Sequence, residues 1–444
     1  MKQIVVIGGG ASGMAAAIAA ARKGVAVTIL EHTPFLGKKL AATGNGRCNF
    51  TNLYLTADCY RGENPSFIEQ ILKGFSPQDA IDFFAGLGVL SEEKGGYVYP
   101  YSNQASTVVD ALTLALHALS VQVYYRIEVT QIQRKNGKLV LTGTERVPVS
   151  TGTADNGKKK GKRASQGQKQ GIREEILQKF SMTCDAVILA CGSKAAPKTG
   201  SDGSGYGLCA SLGHRIVPVR PALVQLRCQG SFLKEWTGVR CQGKISLYAG
   251  KELLAEDTGE LQLTDYGISG IPVFQASRFG AEALSQGKKV TARLNFLPKL
   301  EEAQAEELLR QIQACPERNC PYRWLSGILP QKLVPVILGQ AGIPREKLYQ
   351  KMDAKTAAAA IPALVQALTA FEVSVVETNS FEQAQVCAGG VDTRDVMEDC
   401  ASKWMPGVYI VGELLDVDGI CGGYNLHFAW ATGIAAGEAA SASC

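Results

Sequence analysis

The sequence predicts an α/β fold centred on a parallel sheet, with β-rich and small helical insertions, and three stretches predict it. The first, QIVVIGGGASGMAAAIAAARKGVAVTILEH, runs from residue 3 to residue 32. The second is TCDAVILACGS at 183–193, and the third is GVYIVGELLDVDG at 407–419. Each holds a short run of mostly β-branched apolar residues, the pattern of a strand covered on both faces in a parallel sheet. They lie at both ends of the chain, so the sheet draws on both ends.

The first stretch divides by period. Residues 4–7 form a buried strand, 14–23 an Ala-rich helix closed by Gly24, and 25–30 a second strand. Between strand and helix, Gly8, Gly10 and Gly13 give G-x-G-x-x-G. Gly8 serves the tight turn, Gly10 admits a pyrophosphate close to the backbone, and Gly13 lets helix and strand pack closely. Ala11 and Ser12 open the helix, whose free N–H groups face the phosphates. Glu31, 18 residues after Gly13, can accept both ribose hydroxyls of an adenosine, which disfavours a 2′-phosphate and leaves FAD or NAD. The adjacent His32 belongs near the same adenosine.

The other two stretches favour FAD. Ala190, Cys191 and Gly192 resemble the small-residue strand end of two-dinucleotide-binding flavoproteins. Gly412 and Glu413 resemble the Gly-Asp strand end that holds a flavin ribityl chain, with Asp418 shortly after. CGGYNLHFAWATGIAAGEAA follows, and Gly422 and Gly423 open a helix whose N-terminus suits the negative charge of a reduced flavin ring. Tyr424, Asn425 and Leu426 follow on its first turn.

The motifs GGGASGMAAA, TGNGRCNFTN, PKTGSDGSGYGLCASLGH, LTDYGISG, AGGV and GELLDVDGICGGYNLHFAWATG occur in this order. The chain resembles a bacterial family of NAD(P)/FAD-dependent oxidoreductases, some members of which are aminoacetone oxidases and one a 3-dehydro-bile-acid 4,6-reductase. The resemblance implies a glutathione-reductase-like, Rossmann-type FAD domain, expected at 1–213 and 375–444. It implies a β-rich middle domain, expected at 214–260 and 320–374, and a small helical domain, expected at 261–319. Residues 215–260 alternate in short pieces as strands do, and 299–370 read as helices. The resemblance also brings the backbone at Val129 to the adenine. It implies hydride transfer to a double bond conjugated to a ketone of a bile-acid- or steroid-like substrate, with NADH or NADPH as a transient donor. An oxygen-using amine or aminoketone oxidase is an alternative, and so is a flavin-binding RNA-associated protein. No second G-x-G-x-x-G occurs to hold a nicotinamide nucleotide.

TGNGRCNFTN, at 43–52, is the expected wall of the flavin site. Its Gly and Asn residues turn backbone N–H groups toward a ligand, and Asn tolerates left-handed φ. Asn45, Asn49 and the packed thiol of Cys48 are expected beside the cofactor, and Arg47 on a phosphate or an anionic group of the substrate. Lys39, after Lys38, can approach phosphate. His427, Tyr424 and Tyr266 are the candidate proton donors to substrate.

Composition bounds the rest. The net charge of +5 belongs to one segment: between Arg146 and Arg173 there are eight Lys/Arg and one acid. This is expected to be a disordered loop at about 150–172, and the lack of interleaved aromatic residues argues against nucleic-acid binding. Thirteen cysteines without C-x-x-C suggest reduced thiols, a cytoplasmic location and no metal. The apolar N-terminus is broken by three glycines, and no membrane span is expected. Oligomeric state is left open.

Overall fold

The computed structural model describes residues 2–148 and 175–443. The basic stretch at 150–172 lies outside them. Among the described residues, the strands Val408–Ile410, Ala186–Leu189, Gln3–Ile7, Ala26–Glu31 and Gln122–Tyr125 form one parallel sheet in that order. The three stretches read from the sequence are thus neighbours: Ile4 lies beside Ala186 on one side and Val27 on the other. The fold is α/β with a Rossmann-type parallel sheet.

The helix Ala11–Arg22 is buried from Ser12 to Ala20. It cannot be amphipathic, because the sheet lies on one side and the C-terminal helix Tyr424–Ser443 on the other. Small residues make that second contact possible. A Cβ on Gly433 would lie 2.4 Å from the Ser12 carbonyl oxygen, and one on Gly437 would lie 2.3 Å from that of Ala16. The antiparallel strands Ile127–Lys135, Lys138–Pro148 and Glu175–Cys184 share this core through Ile127, Ile132, Leu139 and Leu141.

A second core lies within a closed barrel of Leu226–Gln229, Gly267–Ser269, Glu252–Leu263, Arg240–Ala249, Val290–Asn295 and Phe371–Thr378. The helices Glu302–Ala314, Pro321–Leu325, Leu333–Gln340 and Ala354–Thr369 fall between its last two strands. They share its core through Leu309, Trp324, Leu333 and Leu364. The helical period over 299–370 coincides with these elements, but the expected limits of 261–319 and 320–374 differ from the observed division. Residues 261–319 contain barrel strands and the helix Ile271–Ser285, whereas 320–374 is mostly helical. The strand Gly267–Ser269 is too brief to impose a readable alternation, whereas Val290–Asn295 is long enough and alternates in burial. Two antiparallel strands, Ile216–Ala222 and Val386–Val391, carry the chain into and out of the barrel.

The close helix contact yields a stability prediction. Gly437→Val has no room and should lower unfolding free energy by about 2–3 kcal/mol in urea titrations. Gly207→Ala, at an exposed helical position where an added Cβ meets nothing within 4 Å, should be neutral or stabilise by up to about 1 kcal/mol. Equal effects at the two sites would refute the packing argument.

Candidate functional site

At the carboxyl ends of the parallel strands lies a cavity of about 880 Å³, near the upper end of small-molecule sites (roughly 300–1,000 Å³). One end is the glycine turn. Gly8 holds φ +104°, and a Cβ there would lie 2.4 Å from the Ala190 carbonyl oxygen. A Cβ on Gly13 would lie 1.9 Å from Gly8 O. The fold itself therefore requires both glycines. Gly10 differs: its φ is −81°, and a Cβ there meets nothing within 4 Å. Its open side faces the cavity at the N-terminus of the first helix, where backbone N–H groups suit a phosphate.

Glu31 is buried, and its carboxylate accepts from Gly9 N and Thr33 N, both at 2.7 Å. These bonds fix its orientation and leave lone pairs for sugar hydroxyls. His32, Val129, Ala190, Cys191 and Gly192 line the same end. Burial pushes the Cys191 thiol up to about 12, so it stays protonated. Lys39 Nζ meets Glu413 Oε2 at 2.5 Å, and Ser193 Oγ donates to the same oxygen at 2.9 Å. The expected phosphate ligand and the expected ribityl ligand are thus joined to each other.

The loop at 43–49 forms a second wall. Gly44, Asn45, Gly46 and Cys48 have φ of 56°, 55°, 82° and 59°. For an L-residue such as Cys48 that conformation costs about 1–2 kcal/mol. It is held by the burial of Cys48 and by Phe50, whose ring lies 4.8 Å from Phe84, itself 5.1 Å from Trp430 on the C-terminal helix. Asn45, Arg47 and Asn49 line the cavity, and Cys48 does not. The thiol points into the core and is pushed up to about 12 by burial, which corrects its expected place beside a cofactor. Asn49 Oδ1 is buried and accepts no hydrogen bond within the protein, so it is an acceptor available to a ligand N–H. Across from it, Gly423 holds φ +95°, and a Cβ there would lie 2.8 Å from Asn49 Oδ1.

The C-terminal motif divides. Glu413, Gly422, Gly423, Asn425 and Leu426 line the cavity. Asn425 bonds both backbone groups of Gly419 at 2.8 Å and so shapes the turn. Gly412 and Gly13 lie behind the wall; a Cβ on Gly412 would lie 2.5 Å from Ser12 Oγ. Asp418 is engaged elsewhere: it is buried against Arg278 Nε at 2.9 Å, and burial raises its carboxyl to about 6 against the pull of that arginine.

The three candidate proton donors lie away from the cavity. His427 is fully buried, with Nδ1 2.8 Å from Thr51 Oγ1 and Nε2 3.0 Å from Phe75 O. Both nitrogens are occupied, and the ring holds the helix to its neighbours. Tyr424 is buried edge-on against Tyr60, whose hydroxyl donates to its carbonyl. Tyr266 lies under Arg227 in a separate groove on the barrel. The tyrosines that do line the cavity are Tyr97 and Tyr99. They are two apart on the strand Tyr97–Pro100 and so share a face. That period-2 spacing was readable in YVYP. Leu223, Ile271, Phe274 and Ile420 give the cavity an apolar lobe. Leu223, Ile271 and Phe274 come from the barrel side and no local motif marks them, whereas Ile420 belongs to the C-terminal motif and packs on the core of the parallel-sheet domain. Among the described residues, no group of three or more metal-ligating side chains is assembled, and no helix is long and apolar enough to cross a membrane. The twelve described cysteines are free thiols.

The chain matches the family described as HI0933-like protein Rossmann domain over residues 2–154 and 156–439. It is 42% identical over 447 residues to a 3-dehydro-bile acid delta(4,6)-reductase of Clostridium scindens, covering 99% of each chain. It is 27% identical over 436 residues to the ribosomal RNA dihydrouridine synthase of Haemophilus influenzae, covering 97% of this chain and 96% of the relative. Among solved structures, the 3-ketosteroid-delta4-(5alpha)-dehydrogenase of Rhodococcus jostii aligns with a TM-score of 0.46 at 15% identity, covering 99% of this chain and 97% of that one.

The buried imidazole supplies a pH test. Burial holds His427 at about 4, below its ordinary 6.5. Between those values the unfolded chain binds the proton and the folded chain does not. The contribution to stability is therefore complete above about pH 6.5 and falls as pH drops toward 4, by about 3 kcal/mol in all. The stability gap between wild type and His427→Gln should narrow by that amount from pH 7 to pH 4 in denaturant titrations. A gap independent of pH would contradict the buried, neutral assignment.

Proposed function

Because the chain belongs to the HI0933-like Rossmann-domain family, we propose that it is an FAD-dependent oxidoreductase. In this reading it reduces a carbon–carbon double bond conjugated to a ketone on a bile-acid- or steroid-like substrate, with NADH or NADPH as donor. The observation that carries the reading is a single cavity lined by the glycine turn and Glu31 and by an apolar lobe. The full-length 42% identity to a bile acid reductase supports the substrate class.

The donor set suits FAD. Residues 8–12 and the first helix N-terminus would hold the pyrophosphate, Glu31 the ribose hydroxyls, and Val129 the adenine side. Asn49 and the Gly422 and Gly423 turn would hold the ring end, where the buried Asn49 Oδ1 needs a donor. Bound FAD would supply the two-electron hydride chemistry. The protein's part is to exclude water with Leu223, Ile271, Phe274 and Ile420, and to polarise the ketone. Tyr97, whose ring lies against the Gly422 turn, carries the hydroxyl that would donate to that oxygen.

A ribosomal RNA substrate is the second reading, favoured by the 27% identity to dihydrouridine synthase. Dihydrouridine is uridine with its ring double bond reduced, so the bond chemistry is shared and only the recognised body differs.

Gly10→Leu tests the cofactor assignment cleanly, because the fold leaves room for a side chain there. The variant should melt like FAD-stripped wild type and purify without bound FAD; a yellow variant at full stoichiometry would overturn the cradle. With FAD retained, Tyr97→Phe should lose roughly 100-fold in kcat for NADH- or NADPH-driven enone reduction. An unchanged kcat would remove Tyr97 from the reaction.

A further inference from the structure

The cations lining the cavity are not equivalent. Lys39 pairs with Glu413, and Arg146 Nη2 lies 3.4 Å from Glu128 Oε2. Lys38 Nζ donates to Lys198 O at 2.6 Å. Arg47 has no carboxylate within ion-pair distance among the described residues. Its Nε donates to Gly44 O at 3.3 Å, and its guanidinium lies 5.4 Å from the centre of the Tyr99 ring. Neither contact removes its charge.

Its position is fixed by the backbone. Arg47 N donates to Gly44 O and Cys48 N to Thr43 O, and Phe50 N then ties the loop to Val98 O. The loop thus delivers Arg47 to the strand bearing Tyr97 and Tyr99. A Cβ on Gly422 would lie 2.8 Å from the Tyr97 ring. Arg47 therefore belongs to the wall shared with the C-terminal turn, while the glycine turn and first helix make the phosphate cradle. The same cavity has its apolar lobe in Leu223, Ile271, Phe274 and Ile420. A cavity that combines an apolar lobe with a guanidinium lacking an ion-pair partner among the described residues suits a molecule with an apolar body and an anionic end.

We propose that Arg47 selects substrates bearing a carboxylate remote from the reduced double bond, so that the chain acts on amphipathic ring acids in preference to neutral steroids. This rests on the reductase reading above. Arg47 is a specificity residue here and takes no part in the electron transfer.

The test compares FAD-loaded wild type, Arg47→Gln and Arg47→Lys on 3-oxochol-4-en-24-oic acid and its methyl ester. Wild type should favour the acid in kcat/KM. In Arg47→Gln the acid-over-ester ratio should fall about 10- to 100-fold, mainly through KM. Arg47→Lys should recover part of it. An unchanged ratio overturns the proposal. So does loss of FAD from Arg47→Gln, which would assign the side chain to the cofactor. If wild type reduces neither compound, the reductase reading fails separately, and equilibrium dialysis of the same two compounds decides. Acid preference in wild type that vanishes in Arg47→Gln supports the proposal; no preference in wild type overturns it.

Discussion

Everything at the site depends on how closely the first and last helices approach. Ser12 and Ala16 present bare carbonyl oxygens, and Gly433 and Gly437 present no side chain to them. The two chain ends are thereby locked together, and the parallel sheet can take its strands from both. The glycine turn after the first strand and the Gly422–Gly423 turn before the last helix then face one cavity. Dispersion and apolar burial along this contact carry the cost of bringing segments more than 400 residues apart into register.

The wall between those turns is built against local preference. The 43–49 loop holds two non-glycine residues at positive φ, and it persists because Cys48, Phe50, Phe84 and Trp430 are buried behind it. Strain on the cavity side is offset by packing on the core side. The division of labour follows: the side chains that point inward anchor the loop, and those that point outward, Asn45, Arg47 and Asn49, are left for recognition. His427 and Cys48, the chemically tempting groups, are on the anchoring side.

Much of the glycine-turn end of the cavity was legible in the sequence because it is local. A strand, three spaced glycines, a helix and an acid all fall within 30 residues, and each has its own steric reason. Gly422, Gly423 and Asn49 were legible through their motifs. The direction of side chains was not. Whether a residue one turn into a helix faces ring or core depends on what the helix packs against, and His427 met Thr51 and Phe75, which are distant in sequence. Asp418 was taken by Arg278 from the barrel helix for the same reason. The apolar lobe was invisible because Leu223, Ile271 and Phe274 come from the barrel side and meet Ile420 of the C-terminal motif only in the folded chain. The barrel limits were blurred because its strands are interrupted along the chain by the helix Ile271–Ser285 and by the four helices before Phe371–Thr378.

The central claim is that this cavity directs electrons into a conjugated double bond. The most direct measurement is an anaerobic single turnover. Protein reduced with one equivalent of dithionite is mixed either with a 3-oxo-4-ene steroid acid or with air-saturated buffer. The account predicts that flavin absorbance returns with the steroid, in step with one equivalent of saturated 3-ketone. Return only with oxygen, accompanied by hydrogen peroxide and no reduced steroid, would contradict it.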